Sequence, residues 1–214
     1  MNPMSSRDEP GTPAGTTRGR RTQAERRAET RRGLVAAAIA LWAEHPVADV
    51  SLDRLAAAAG CTRGAFHGNF EDRAEFIGTV LAAIVAEAGR RLTAAVAAAP
   101  DPLAGLTAYI VESVRFVADE PAKAGALAAI VRHREAAGGA GYVDLARDGS
   151  VELVALLRDG QRAGLVRDLD VDLAAGAIRV TLDTQIRSGR VTDAAAAERV
   201  GAELGAFFEA AVRR

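Results

Sequence analysis

The chain has 214 residues, a formal net charge of −1, 49% hydrophobic and 26% charged residues, and a single cysteine, Cys61. This length can bury a hydrophobic core, and one cysteine excludes an internal disulfide. No apolar run reaches the ~18 residues that a membrane span needs, and the first residues contain no apolar core of a signal peptide. We therefore expect a cytoplasmic protein with no membrane partner.

The composition favours helices. Alanine, leucine, arginine and glutamate dominate, and only 4% of the residues are aromatic. These abundant residues are helix formers, and no stretch shows the alternating β-branched pattern of a strand. We predict an all-α protein.

The first segment, residues 1–22, is predicted to be a disordered basic arm, since glycine, proline, serine and threonine dominate it. Residues 18–32 contain seven arginines and two glutamates, a local charge of +5. A basic arm can lie along DNA phosphates or enter a minor groove. The alternative is a solvated tail with no partner.

A first helix is predicted from about residue 24 to residue 44, with Trp42 in the core and Pro46 ending the helix. Two short helices around a tight turn follow. Ser51 caps the first of them, Gly60 ends it, and Thr62 caps the second. A short helix pair with glycine at its turn is the helix-turn-helix geometry, and its second helix suits a DNA major groove.

Three patterns occur between residues 34 and 81. They are L-x-x-x-A-x-x-L-[FW]-x-E in the first helix, A-x-x-A-G-x-[ST]-R-G-A-[FL] across the turn, and a closing aromatic-x-x-Phe with a basic residue three places later. This stretch resembles the DNA-binding domain of TetR/AcrR-type one-component repressors. Three positions depart from the family: His67 and Gly68 stand where Tyr and a bulky His or Trp are usual, and Arg73 stands where Lys is usual.

The resemblance implies a three-helix DNA-binding domain over residues 23–75 and a helical effector-binding and dimerisation domain over residues 76–214. It also implies double-stranded DNA as a partner. Gly64 supports DNA contact independently, because glycine inside a short helix costs about 1 kcal/mol and permits close backbone approach. The predicted DNA-binding residues are Arg27, Ser51, Thr62, Arg63, Gly64, His67, Asn69 and Arg73.

The remaining chain reads as further helices with short breaks. We predict them at about 71–99, 102–119, 121–136, 142–163, 171–188 and 193–212. Asp170 and Thr192 have the residue type and position of N-caps. Arg73 is unfavourable in the first turn of its helix, so a phosphate partner would account for it.

The sequence lacks the motifs of catalysis. It has no metal-ligand spacing among its histidines, no glycine-rich phosphate loop and no nucleophile elbow, so we predict no enzyme, no metal and no cofactor. Polar and aromatic residues within the later helices could line a ligand cavity, or could lie at the surface. The candidates are Tyr109, Arg115, Phe116, Arg132, Tyr142, Arg179 and Asp183. Their few positive charges favour an uncharged or weakly acidic, largely apolar effector.

The resemblance places a homodimer interface on the last two helices. Its predicted residues are Leu173, Ile178, Leu182, Val200, Leu204, Phe207 and Phe208. The leading functional hypothesis is a homodimeric repressor that binds a palindromic operator and is released by a small molecule. The alternatives are a DNA-binding protein of the same fold without an effector, and an all-α enzyme or carrier with an accidental motif.

Overall fold

The computed structural model describes residues 22–138, 141–188 and 190–214, without the side chains of residues 141–149, 186 and 187. The predicted arm lies outside these residues, except for Thr22. The hydroxyl of Thr22 accepts the amide of Glu25, and the Glu25 carboxylate accepts the amide of Thr22, which is a capping box at the start of the first helix.

Within the described residues the chain forms nine α-helices and one 3-10 turn, at Val47–Asp49, with no strand longer than one bridge pair. The helices are α1 Gln23–Glu44, α2 Leu52–Ala58, α3 Arg63–His67, α4 Arg73–Ala97, α5 Pro102–Asp119, α6 Pro121–Ala136, α7 Gly141–Arg162, α8 Val171–Arg187 and α9 Ala194–Val212. The bridge pairs Val166 with Arg213. The all-α prediction is confirmed.

The helix ends follow the side chains that cap them. Ser51, Thr62 and Asp170 accept amides at the starts of α2, α3 and α8, as predicted. The prediction for Thr192 is wrong, because the neighbouring Asp193 carboxylate accepts the Ala196 amide at 2.8 Å and caps α9. That amide also lowers the pKa of Asp193, since it stabilises the charged form.

One hydrophobic cluster joins α1–α4 to α6. Trp42, Phe66 and Phe76 are buried in it together with Phe116 and Ile130. Helices α1 and α6 lie very close: a Cβ on Gly125 would come within 3.1 Å of the Ala43 Cα. The predicted domain boundary after residue 75 therefore stays a prediction, because this cluster extends past it and α4 crosses it without a break.

A second cluster is formed by α5, α7, α8 and α9. Helix α9 approaches α5 through two glycines, Gly201 and Gly205, whose added Cβ atoms would lie 3.2 Å from the Val111 Cα and 3.0 Å from the Thr107 Cγ2. Leu92 and Val96, near the end of α4, pack against this cluster. Helix α4 thus joins the two hydrophobic clusters.

Arg31 in α1 ties together three parts of the N-terminal region. Its Nη1 donates to the main-chain oxygen of Asn69 at 2.5 Å, and its Nη2 donates to Glu75 Oε1 at 2.9 Å and to Thr79 Oγ1 at 3.2 Å. The guanidinium carbon lies 4.1 Å from the centroid of the Phe70 ring. The pKa of Glu75 is lowered, first by the Glu71 amide and then by Arg31. Arg31 therefore fixes α1 to the turn after α3 and to α4.

We expect Arg31→Ala to lower the free energy of unfolding by about 1–2 kcal/mol, because it leaves the Asn69 oxygen without a charged donor and removes the cation–π contact. Urea unfolding followed by circular dichroism measures the change. Arg32→Ala is the matched control, since Arg32 is exposed and its side chain reaches only the Ala28 oxygen of its own helix. Equal stability of the two variants would show that the Arg31 contacts contribute nothing.

Candidate nucleic-acid interface

Helix α3 is short and is bounded by specific backbone geometry. Before it, Gly60 adopts φ +66°, a left-handed conformation that side chains disfavour, and so turns the chain between α2 and α3. Thr62 Oγ1 then accepts the Ala65 amide at 3.3 Å and starts the helix. Gly68 ends the helix, which has only five residues. The turn and the cap set the angle between α2 and α3.

Aromatic packing holds the inner side of α3. Phe66 is fully buried, and its ring centroid lies 5.4 Å from that of Phe70 and 5.1 Å from that of Phe76. Phe70 and Phe76 are 4.7 Å apart, and Trp42 stacks edge-on to Phe76 at 5.6 Å. Such pairs prefer tilted or edge-to-face arrangements, as found here. The cluster anchors α3 to α1 and α4.

The outer side of α3 is open. Thr62, Arg63, Gly64 and His67 are all exposed. A Cβ on Gly64 would meet only Thr62 Oγ1, at 3.8 Å, so the backbone of α3 is accessible from this side. A DNA major groove can admit a short helix that carries few bulky side chains. Hydrogen-bond donors on such a helix can then reach the base edges.

Two other predicted residues lie near the ends of neighbouring helices. Arg27 is exposed near the start of α1. Ser51 is exposed and its Oγ accepts the Arg54 amide at 3.2 Å, which places it at the N-terminus of α2. A helix N-terminus carries free amides and a positive partial charge, and both favour a phosphate group.

Helix α3 is also linked to α2 by an ion pair. Arg63 Nη1 donates to Asp53 Oδ2 at 3.2 Å, and both side chains are 63% exposed. The sequence did not predict this partner, and the structure places the Asp53 carboxylate beside Arg63.

Asn69, one of the predicted DNA-binding residues, does not lie on the exposed outer side of α3 with Arg63. Its side chain is only 8% exposed, and its Nδ2 donates to the Ala65 oxygen at 2.7 Å. Its main-chain oxygen accepts from Arg31. Among the described residues its Oδ1 has no hydrogen-bond partner. Asn69 therefore helps to close the C-terminal end of α3 in the free protein.

Arg73 has partners within the chain. Its Nη2 donates to the main-chain oxygens of Val47 and Val50, the latter at 2.9 Å. These oxygens belong to the segment that leads into α2. A phosphate is therefore not needed to account for Arg73 in the first turn of α4, and the role that the geometry gives Arg73 is to hold the start of α2 against α4.

Some of the predicted effector-binding residues meet between α5 and α8. Tyr109 is buried, and its hydroxyl oxygen lies 3.4 Å from Arg179 Nη1. Arg179 and Asp183 form a largely buried pair through contacts of 3.0 and 2.5 Å. Burial raises the pKa of Tyr109, with Arg179 opposing the shift. These three residues form one polar group at the second cluster, to which Tyr109 belongs.

The other predicted effector-binding residues lie elsewhere. Arg115 and Arg132 are exposed, and Phe116 is buried in the first hydrophobic cluster with the Arg91 guanidinium 5.6 Å from its ring centroid. The Tyr142 side chain lies outside the described residues. The periodicity of the sequence could not predict that Arg115 and Arg132 are exposed, because α5 and α6 carry apolar residues on more than one side.

The residues predicted for the dimer interface divide into two sets. Ile178, Leu182 and Phe208 are buried in the second cluster of a single subunit, and Val200 and Leu204 pack half-buried against it. Leu173 and Phe207 are 73% and 65% exposed, and Val180 on α8 is 53% exposed. The exposed apolar surface of α8 and α9 is thus formed by these last three residues.

The described part of the chain contains no group of three or more His, Cys, Asp and Glu residues that could hold a metal ion. None of the helices seen there combines the length and apolar character of a membrane span.

The capped turn, the anchored α3 and its open donor-rich side define a helix-turn-helix DNA-binding protein. Residues 34–80 match the family model of the bacterial regulatory proteins of the tetR family. This match, over the helix-turn-helix segment, supports a transcriptional regulator of that family. No curated protein matches the chain in sequence.

Solved structures with the same fold include a TetR-family transcriptional regulator from Cytophaga hutchinsonii, with a TM-score of 0.73, 20% identity and coverage of 91% of this chain and 98% of that one. SmeT, the repressor of the Stenotrophomonas maltophilia multidrug efflux pump SmeDEF, has a TM-score of 0.67 and 22% identity, over 87% and 93%. RolR in complex with the ligand resorcinol has a TM-score of 0.60 and 22% identity, over 89% and 90%. At these identities the likeness shows the fold.

We expect Arg63→Ala to weaken binding to a duplex selected by the wild-type protein by about 1–3 kcal/mol, as for the loss of an arginine that reads a guanine edge. Fluorescence anisotropy measures the affinity. The melting temperature should hardly change, since Arg63 is exposed. Arg90→Ala is the control, because Arg90 is an exposed arginine far along α4. If both variants bound like the wild type, Arg63 would not contact DNA.

Proposed function

We propose that the protein is a homodimeric transcriptional repressor that binds a palindromic operator with α3 of each subunit and is released by a small, largely apolar effector. The observation that carries the DNA-binding part is the open side of α3, where Arg63 and His67 flank the accessible backbone at Gly64. The aromatic cluster behind Phe66 holds this surface in place before DNA arrives.

The dimer proposal is supported by exposed apolar side chains on α8 and α9. Leu173 and Val180 lie two helical turns apart on α8, and Phe207 lies on α9. Large exposed apolar side chains on two successive helices are typical of an interaction surface. Small exposed residues accompany them, including Ala177, Ala202 and Ala206 among others, and would allow the helices of two subunits to approach closely.

A twofold dimer explains why the operator should be palindromic. One helix of five residues contacts few base pairs. Two such helices related by a twofold axis meet two half-sites in opposite orientation, so the symmetry of the DNA follows the symmetry of the protein. Pairing of subunits also doubles the phosphate contacts and thereby raises affinity.

Repression and effector release rest on relatives of the same fold. SmeT is a repressor, and RolR binds resorcinol. In this chain, Tyr109, Arg179 and Asp183 supply hydrogen-bonding groups within an apolar setting between α5 and α8, which suits a small ligand with a hydroxyl group. Helix α4 would carry the signal, because it packs on both hydrophobic clusters and begins beside α3.

A regulator of the same fold without an effector is the alternative. The buried Arg179–Asp183 pair favours the effector hypothesis over it. An ion pair taken out of water contributes little net stability, so a binding role gives a reason for its position.

We expect Phe207→Glu to dissociate the dimer, because it would place a carboxylate in an apolar interface. Light scattering at micromolar concentration measures the mass of the particle. Val151→Glu is the matched control, since Val151 on α7 is 66% exposed against 65% for Phe207. A wild-type monomer, or dissociation by both variants alike, would contradict the proposed interface.

The effector proposal is tested with a panel of small phenols that includes resorcinol. A true effector must bind the DNA complex more weakly than the free protein, by the same factor by which it weakens DNA binding, and a 100-fold release corresponds to about 2.7 kcal/mol of coupling. Titration calorimetry with and without DNA gives both affinities. Tyr109→Phe and Arg179→Met should weaken the response. A compound that displaced DNA while binding both forms equally would contradict this coupling.

A further inference from the structure

The Asp53 carboxylate lies on the side of the helix-turn-helix that carries Arg63. It is in the first turn of α2 and accepts a hydrogen bond from Arg63 of α3 at 3.2 Å, with both side chains 63% exposed. A negative charge at this position should repel DNA phosphates and weaken binding. The presence of an acidic residue on a surface that is proposed to read DNA therefore needs a physical explanation.

Fold stability gives only part of that reason. An acidic residue in the first turn of a helix interacts favourably with the helix dipole, and Asp53 is so placed. That interaction needs no arginine on the next helix, however. An ion pair as exposed as this one contributes little to stability, because water and salt screen it. Stability of the fold therefore does not account for the pairing of Asp53 with Arg63.

The chemistry of the pair suits base recognition. A guanidinium has five N–H donors in a planar fork, so a carboxylate that takes one side leaves others for a second acceptor. Guanine presents two acceptors, O6 and N7, in the major groove, and arginine reads them as a bidentate pair. A carboxylate that fixes the guanidinium beforehand reduces the conformational entropy that Arg63 loses on binding.

Asp53 can also contact DNA itself. A carboxylate has lone pairs for several hydrogen bonds, and the group in the major groove that can donate to it is the amino group of cytosine. Bases that present only acceptors at this position, such as the O4 of thymine, would be rejected by repulsion. The same carboxylate would thus favour guanine through Arg63 and select against acceptors at the neighbouring base pair.

We propose that Asp53 is a positioning and specificity-determining residue, which orients Arg63 towards guanine and restricts the adjacent base pair; this rests on the proposed reading of DNA by α3. Asp53 thus lowers the affinity for DNA and increases the discrimination between DNA sequences. It reduces attraction to DNA of any sequence and raises the preference for the sequence that Arg63 can read.

The test is selection of binding sites from a pool of random DNA duplexes by the wild-type protein, Arg63→Ala, Asp53→Asn and Asp49→Asn. Asparagine has the shape of aspartate without its charge. Asp49→Asn removes an equal charge from an exposed residue of the preceding 3-10 turn. Arg63→Ala identifies the position in each half-site that Arg63 reads. Melting temperatures confirm that each variant is folded.

At that position we expect Asp53→Asn to lower the preference for guanine by roughly fivefold, a factor within the range for one base contact. Its affinity for an unselected duplex should rise, with a steeper dependence on salt, because the Arg63 charge is no longer compensated. Asp49→Asn should keep the wild-type preference. In Arg63→Ala, adding Asp53→Asn should change the guanine preference no further, since Asp53 acts on this base through Arg63.

The outcomes separate this inference from the proposed function. If the wild-type protein enriched no sequence, the proposed DNA-reading function would fail, and the inference with it. If the wild-type protein enriched a sequence and Asp53→Asn kept the same guanine preference, only the role of Asp53 would be overturned. An equal loss of preference in Asp49→Asn would also overturn it, because the effect would then come from net charge.

Discussion

The buried face of α3 is the constraint on which the DNA-reading surface depends. An isolated helix of five residues is not stable in water, because nucleation costs more than one turn of hydrogen bonds returns. Tertiary contacts must therefore hold it. Phe66 packs into a cluster with Phe70, Phe76 and Trp42, and Arg31 covers Phe70 and binds the oxygen of Asn69. Both ends and the inner face of α3 are fixed, and only the outer face remains open.

The same contacts connect this surface to the rest of the chain. Glu75 and Thr79, which bind Arg31, lie in the first turns of α4, and the far end of α4 packs against the second hydrophobic cluster. Helix α1 in turn lies close against α6 at Gly125. A displacement of α4 or α6 would therefore reach the turn after α3. This continuity is the physical basis on which the proposed effector would act from the second cluster.

The sequence predicted the helices well where an end is set by a local residue. Pro102 and Asp170 mark the starts of α5 and α8 because each acts within one turn. The sequence could not predict contacts between side chains and partners that are distant in the chain. Arg73 binds main-chain oxygens some 25 residues earlier, and no periodicity encodes such a contact. Adjacent phenylalanines on α9 also divide between core and surface. Phe208 lies on the side of α9 that carries Gly201 and Gly205 and is buried in the second cluster, whereas Phe207 is 65% exposed.

Helix α3 is formed and anchored in the DNA-free protein, and hydrogen exchange of the Phe70 amide can measure this. This amide donates to the Phe66 oxygen at 2.9 Å, at the end of α3, and Phe70 is buried. We predict that in the DNA-free protein it exchanges as slowly as the buried amides of α1 and α4, through opening of the whole cluster. Exchange near the rate of an unprotected amide, with protection appearing only when DNA is added, would show instead that α3 forms on binding.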